Sequence, residues 1–155
     1  MTAVATRRKD DTISRWVCFE TAGQHYGLPI LSVQEVLRDA EIEPVPGTSE
    51  QVLGVINLRG NVVTVLDLRR RLSLEPVPRG PESRIVIVDH DGESYGLMVD
   101  RVADVRKVID LAVKAAPSVG PAPGQSGVSG VYVRDGDLLT LLDPAALIDN
   151  ARFLP

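Results

Sequence analysis

GVINLRGNVVTVLDLR, residues 54–69, carries the pattern that decides the fold. It begins as an aliphatic strand, breaks at Arg59, Gly60 and Asn61, and resumes as a second strand in which Val62, Thr64 and Leu66 alternate with Val63, Val65 and Asp67. Two such runs around a short break predict a β-hairpin with a charged tip. Apolar residues on both faces of the arms predict buried arms, whereas Arg59 at the turn can reach solvent or a partner.

Working outward, RWVCFE at 15–20 predicts a strand, 21–24 a turn and 25–29 the returning strand. Ser32 to Glu35 fits a capping box, a hydroxyl followed three residues later by a carboxylate, and predicts a short helix over about 33–37. Residues 40–45 predict another strand, ended by Pro44 and Pro46, and Asp67 predicts the cap of a helical turn through Leu72. SLEPVPRGPES at 73–83 holds three prolines and a glycine without an apolar period and reads as a linker. Beyond it RIVIVD at 84–89, a turn at 90–92 and SYGLMV at 94–99 restart the same grammar.

The restart is a repeat in register. GQHYGL at 23–28 matches GESYGL at 92–97, and VQEV at 33–36 matches VADV at 102–105, both shifted by 69 residues. Gly54, Val55, Gly60, Thr64 and Asp67 match Gly130, Val131, Gly136, Thr140 and Asp143, shifted by 76. The extra seven residues fall in an interval containing AAPSVGPAPGQSG, 115–127, which predicts a lengthened loop. Asp143 followed by Pro144 predicts a second capped helix. The domain division expected on this reading is a disordered leader at 1–14, one β unit at 15–74, a linker at 75–83, a second β unit at 84–150 and a tail at 151–155. Units this small hide their edges by closing into barrels, leaving a groove between two of them.

The copies differ at the hairpin tip. Asp135 and Gly136 make the familiar two-residue turn signal, but Arg59 stands where Asp135 does. Positive φ is unfavourable for arginine, so two readings stand: Arg59 is held in a poor two-residue turn, or Gly60 supplies the left-handed residue of a slightly longer loop and Arg59 is unstrained. Arginine at the centre of an interface is a frequent hot spot, because its fork bonds several acceptors while its stem packs.

Composition narrows the function. The 155 residues are 44% hydrophobic and 25% charged with a formal charge of −4, which gives a polyanion no reason to bind. Aromatic residues make up only 4% of the chain, which removes the stacking platforms of a single-strand-binding barrel. Cys18 is the sole cysteine, so an internal disulfide is excluded and a buried hydrophobe is expected. No apolar run reaches the roughly 18 residues that span a bilayer. His25 and His90 fall at equivalent hairpins and read as surface residues, not metal ligands. DHDG at 89–92 is a turn lacking the later ligands of a calcium loop, and Ser126 and Ser129 make no nucleophile elbow. Arg69, Arg70 and Arg71 read as a solvated helix face. A ligand or substrate site in the cleft would need polar groups converging in one half, and only scattered Asp and Arg are present.

GVINLRGNVVTVLDLR, preceded by YGLPILSVQEV and PVP, closely resembles the CheW family of chemotaxis coupling proteins, over about 15–148. The resemblance implies an all-β fold of two five-stranded Src-homology-3-like barrels with short helices, and a non-enzymatic adaptor without cofactor or metal. It implies two partners, chemoreceptor cytoplasmic tips and the regulatory domain of a CheA-like histidine kinase, with neither nucleic acid nor direct membrane insertion. The location implied is cytoplasmic, recruited to receptor arrays or clusters. The matching receptor-binding positions are Val33, Glu35, Gly54, Asn57, Arg59 and Val102 in the groove between barrels. The matching kinase-binding positions are Val17, Ile30, Val33 and Val45, an apolar patch on the first barrel. One departure is Thr64, where the family more often has proline. A small-ligand-binding double barrel, or an adaptor of a non-flagellar chemosensory pathway, is the alternative.

Overall fold

Val, Ile and Leu with stiff, branched side chains favour extended backbone, and the chain folds almost entirely into strands. The computed structural model describes residues 12–115 and 127–149. In order these form β1 (Ile13–Thr21), β2 (Gln24–Pro29), a 3-10 turn (Ile30–Ser32), β3 (Val33–Leu37), β4 (Val52–Leu58), β5 (Asn61–Asp67), α1 (Leu68–Arg71), β6 (Arg84–His90), β7 (Glu93–Val99), β8 (Arg101–Ile109), a 3-10 turn (Asp110–Ala112), β9 (Val128–Arg134), β10 (Asp137–Leu142) and α2 (Pro144–Asp149).

Two five-stranded sheets result, in the orders β8-β1-β2-β10-β9 and β3-β6-β7-β5-β4. Replacing each strand by its repeat mate turns the first order into the second. The registers obey the same rule. Thr140 and Leu141 pair in parallel with Tyr26 and Gly27, and Thr64 and Val65 pair in parallel with Tyr95 and Gly96. Val17 opposes Val105 in one sheet as Val86 opposes Val36 in the other.

Membership of the sheets overturns the expected division into 15–74 and 84–150. The second sheet is contiguous, running from β3 to β7, and is inserted into the first, which takes β1 and β2 from before it and β8 to β10 from after it. The 73–83 stretch therefore joins two elements of one barrel, and Arg79 fastens it by donating to Ala40 O and Arg38 O at 2.6 and 2.9 Å. The chain crosses between barrels at the 3-10 turn before β3 and at Asp100. The physical reason is the likeness of the copies: β2 can pair with β10 in the geometry β7 uses with β5, so matching motifs do not reveal which copy a strand joins.

Three cores follow from strand alternation. Ile56, Val63, Val65, Ile85, Ile87 and Met98 fill the inserted barrel, and Cys18, Val108, Tyr132, Leu139 and Leu141 fill the other. The opposite faces supply a third core between barrels, in which Phe19, Tyr26 and Leu28 meet Leu66, Val86, Val88, Leu97, Leu142 and Leu147. Both helices are capped as expected: Asp67 Oδ1 accepts from Arg69 N at 3.1 Å and Asp143 Oδ1 from Ala145 N at 3.0 Å.

Other local expectations need correction. Residues 33–37 form strand β3, because pairing along β6 satisfies their backbone more completely than a short capped helix would. Residues 40–45 contribute only an isolated bridge, Glu43 to Val55. The first strand starts at Ile13, inside the expected leader. Of the three arginines Arg70 keeps the most solvated side chain, paired with Asp67 Oδ2 at 3.5 Å; Arg71 is buried and donates to Leu147 O and Ala146 O, while Arg69 grips Asp100. His90 is mostly covered and bonds Asp149 Oδ1 at 2.8 Å through Nε2. The bulk of the lengthened loop, the start of the leader, Asn150 and the expected tail lie outside the described residues.

Candidate functional site

All four hairpins turn through an X-Gly pair with positive φ at both residues, the geometry of a type I′ turn. The first residues are Ala22 (53°), Arg59 (52°), Asp91 (51°) and Asp135 (53°). Arg59 is thus not relieved by a longer loop. It occupies the left-handed region itself, where aspartate is tolerated and arginine is disfavoured. Twist matching is the reason: a two-residue I′ turn suits the right-handed twist of the arms whatever its first residue is.

Around this tip the sequence-predicted residues converge. Asn57 Oδ1 accepts from Gly60 N at 2.9 Å and fixes the turn. Arg59 Nη1 donates to Glu35 Oε1 at 3.4 Å, and Nη2 closes an ion pair with Glu35 Oε2 across the barrel seam from β3. The hydrogen bond to Glu35 holds the guanidinium pKa above its usual value. The Arg59 side chain is nonetheless 69% exposed. Glu35, Asn57 and Arg59 therefore form one polar cluster at the mouth of the inserted barrel.

Val33 and Val102 are repeat mates, and both lie half-buried against the core between barrels. Gly54 is different in kind. It is buried, its φ is 150°, and a Cβ there would lie 2.7 Å from the carbonyl carbon of Glu43, so only glycine lets the 40–46 loop close on β4.

The four kinase-patch positions divide between the barrels. Val17 in β1 is buried, opposite Leu28 and Val105, and Ile30 follows the end of β2. Val33 and Val45 belong to the inserted barrel and the loop ahead of its β4. The expectation of a patch on a single barrel fails because β1 and β2 pair with the second repeat. Sequence reasoning gave no place to Leu31, which is exposed in the 3-10 turn between β2 and β3. It also missed the ion pair of Arg69 with Asp100, which joins residues from different repeats.

Among the described residues no three His, Cys, Asp or Glu side chains gather as metal ligands. Burial pushes the Cys18 thiol up to about 11, which keeps it protonated and inert. Ser129 donates to a strand carbonyl. No described helix is long and apolar enough to cross a membrane. Two pseudo-symmetric barrels with an exposed polar tip and apolar surface at their boundary define the class of the fold, a double barrel.

The CheW-like domain family model matches residues 15–152, and the chain belongs to the CheW family. It is 29% identical over 139 residues to the chemotaxis protein CheW of Bacillus subtilis, covering 90% of this chain and 89% of that protein. It is 31% identical over 137 residues to protein FrzA of Myxococcus xanthus, covering 87% and 85%. Among solved structures it is similar to the crystal structure of the scaffolding protein TtCheW from Thermoanaerobacter tengcongensis, with TM-score 0.83, 30% identity and coverage of 92% and 98%. The chain is a coupling adaptor of chemosensory signalling, and like its family it is a scaffold without enzymatic activity.

Proposed function

We propose that this chain joins chemoreceptor cytoplasmic tips to the regulatory domain of a CheA-like histidine kinase and is recruited with them into receptor arrays. The receptor meets Glu35, Asn57 and Arg59 at the mouth of the inserted barrel and Val33 and Val102 at the boundary, with Gly54 shaping the mouth from beneath. The kinase meets the exposed apolar positions Ile30 and Val45 and the half-buried Val33, with Val17, buried in β1, supporting the patch from within. The observation that carries the reading is Arg59. It holds a backbone conformation costly for arginine, while the equivalent turn of the other barrel uses Asp135. Strain at an exposed, polar-clustered residue is a mark of function.

Holding two partners at once raises their effective concentration, and avidity so gained is about 10² to 10⁴ without new contacts between them. Signal passes only if receptor states bind the adaptor with different affinity, because equal affinity shifts no equilibrium. The Arg59–Glu35 pair suits such discrimination: a receptor state that offers Arg59 a better acceptor also frees Glu35.

The test replaces Arg59 by Glu and measures melting, kinase binding and receptor-dependent kinase activation separately. Activation is lost while folding and kinase binding persist. Normal activation at normal protein level would remove Arg59 from the site. Val45→Asp is the converse variant, weakening kinase association and leaving receptor binding in place.

A further inference from the structure

The outer barrel, built from β8, β1, β2, β10 and β9, finishes its seam differently from the inserted one. In the inserted barrel Leu37 lies opposite Ile85 at the end of β3, and Leu58 lies opposite Asn61 at the end of β4. Both leucines pack against the core of Ile56, Val63 and their neighbours. In the outer barrel Arg106 holds the place of Leu37, opposite Trp16, and Arg134 holds the place of Leu58, opposite Asp137. The fold can therefore close this seam with two leucines, and here it sets two guanidinium groups there instead.

The exchange leaves a cavity of about 320 Å³, with Val105, Tyr132 and Leu139 as its apolar wall, Arg106, Lys107 and Arg134 as its cations, and Asp137 as its one carboxylate. That volume lies at the small end of the range for small-molecule sites. Tyr132 is only 6% exposed, and among the described residues none bonds its hydroxyl. The cations are loosely held. Arg106 meets Asp104 at 3.4 Å and Arg134 meets Asp135 at 3.8 Å, and both carboxylates are exposed, where such pairs contribute little. Lys107 has no carboxylate partner among the described residues. Three positive charges against one negative leave the lining with an excess of two. The chain as a whole carries a formal charge of −4, so this sign is local and not a general tendency of the surface.

We infer that this cavity binds a small phosphate monoester, with Arg106, Lys107 and Arg134 around its head and Tyr132, Leu139 and Val105 against an apolar body. Arginine forks match phosphate oxygens in geometry and charge. A monoester head carries close to two negative charges at pH 7, because its second pKa is about 6, and so balances the excess in the lining. Solvation alone accounts for a long cation at a surface, but not for two arginines at positions where the mate barrel packs leucine, around a buried tyrosine. The inference is independent of the receptor and kinase readings, since none of these residues belongs to either set.

The experiment titrates phenyl phosphate, inorganic phosphate and benzoate into the full chain, followed by thermal melts and amide chemical shifts. Phenyl phosphate at ten times its dissociation constant raises the melting temperature by about 3–6 °C. Its shifts centre on residues 105–107 and 132–139, and it binds about tenfold more tightly than inorganic phosphate, because its ring is buried. Binding weakens as pH falls through about 6, where the head loses its second charge. Arg106→Leu combined with Arg134→Leu rebuilds the closure of the inserted barrel, so the ligand-free melting temperature holds or rises while the response disappears. Arg106→Gln combined with Arg134→Gln keeps the bulk without the charge and loses the response too, which carries the test if the leucine protein is less stable. Equal affinity for phenyl phosphate and inorganic phosphate, an adventitious ion only, overturns the inference. So does benzoate binding as tightly as phenyl phosphate, a response retained by the glutamine protein, or no response to any of the three.

Discussion

Gly54→Ala separates a contact residue from a shaping residue. Gly54 has nothing to offer a receptor except the absence of a side chain, and an added methyl group would collide with the Glu43 carbonyl. The collision falls on backbone, so relief requires the 40–46 loop to move away. That movement breaks the paired hydrogen bonds Glu43 N to Val55 O and Val55 N to Glu43 O, 2.8 and 2.9 Å long. Each such bond contributes about 1 kcal/mol net, and placing a non-glycine residue in a glycine-only backbone region adds about 1–3 kcal/mol. Together the change destabilises by about 3–5 kcal/mol, or roughly 6–20 °C in melting temperature for a chain of this length. The loop also carries Ile42 and Ala40, which pack on the inserted barrel's core, so hydrogen exchange should accelerate first in β4. The assay is a thermal melt with exchange mass spectrometry, run beside receptor binding. The repeat mate serves as control: a Cβ on Gly130 would meet Val113 Cγ1 at 2.7 Å and Lys114 O at 2.9 Å, and Gly130→Ala should destabilise while sparing the Arg59 mouth. A Gly54→Ala protein that melts with wild type yet fails to bind receptor would refute the shaping role and make Gly54 a contact.

Arg71→Met leaves Leu147 O and Ala146 O without their buried donor, so α2 should loosen at a cost of about 2–4 kcal/mol, read as faster exchange in residues 144–149 and an earlier denaturant midpoint. An unchanged midpoint would mean that the two carbonyls find water instead. His90 has its pKa raised, chiefly by the hydrogen bond to Asp149. Its contribution is fully present below the unfolded value of about 6.5 and is lost as pH rises through the higher folded value. Denaturant midpoints should therefore fall between pH 6 and pH 8.5 in wild type and change less in His90→Gln; equal slopes would remove the His90–Asp149 latch from the stability of α2.

The strands of the hairpins were legible because their cause is local. Alternation in residues 62–67, the Asp-Gly turns and the caps at Asp67 and Asp143 each depend on neighbours in sequence, and each appears where expected. The repeat was legible for the same reason. Which strand joins which barrel was not, because two copies with matching motifs offer two matching sets of partners. Ser32 to Glu35 shows tertiary pairing overriding a local signal: a helix of five residues is marginal alone, and a free edge of β6 was available to Val33–Leu37. At Arg59 the sequence exposed an oddity but not its form, since the choice between a strained short turn and a relaxed longer one lies in the twist of the arms. The convergence of Glu35 on Arg59 across the seam, and of Arg69 on Asp100 between repeats, became visible only when the sheets closed.

The inserted arrangement of the barrels has an evolutionary and a mechanical reading. A cut anywhere in 75–83 would yield two pieces holding five strands each, neither containing a complete sheet, and each supplying what the other lacks. A chain half this long would face the same shortage and could meet it with a second copy of itself, exchanging strands around a two-fold axis. The present protein has the geometry of an intertwined dimer written as one polypeptide. Within one polypeptide the two copies are free to differ, one turn with Asp135 and the other with Arg59, one corner locked at Asp100 and the other open at Leu31.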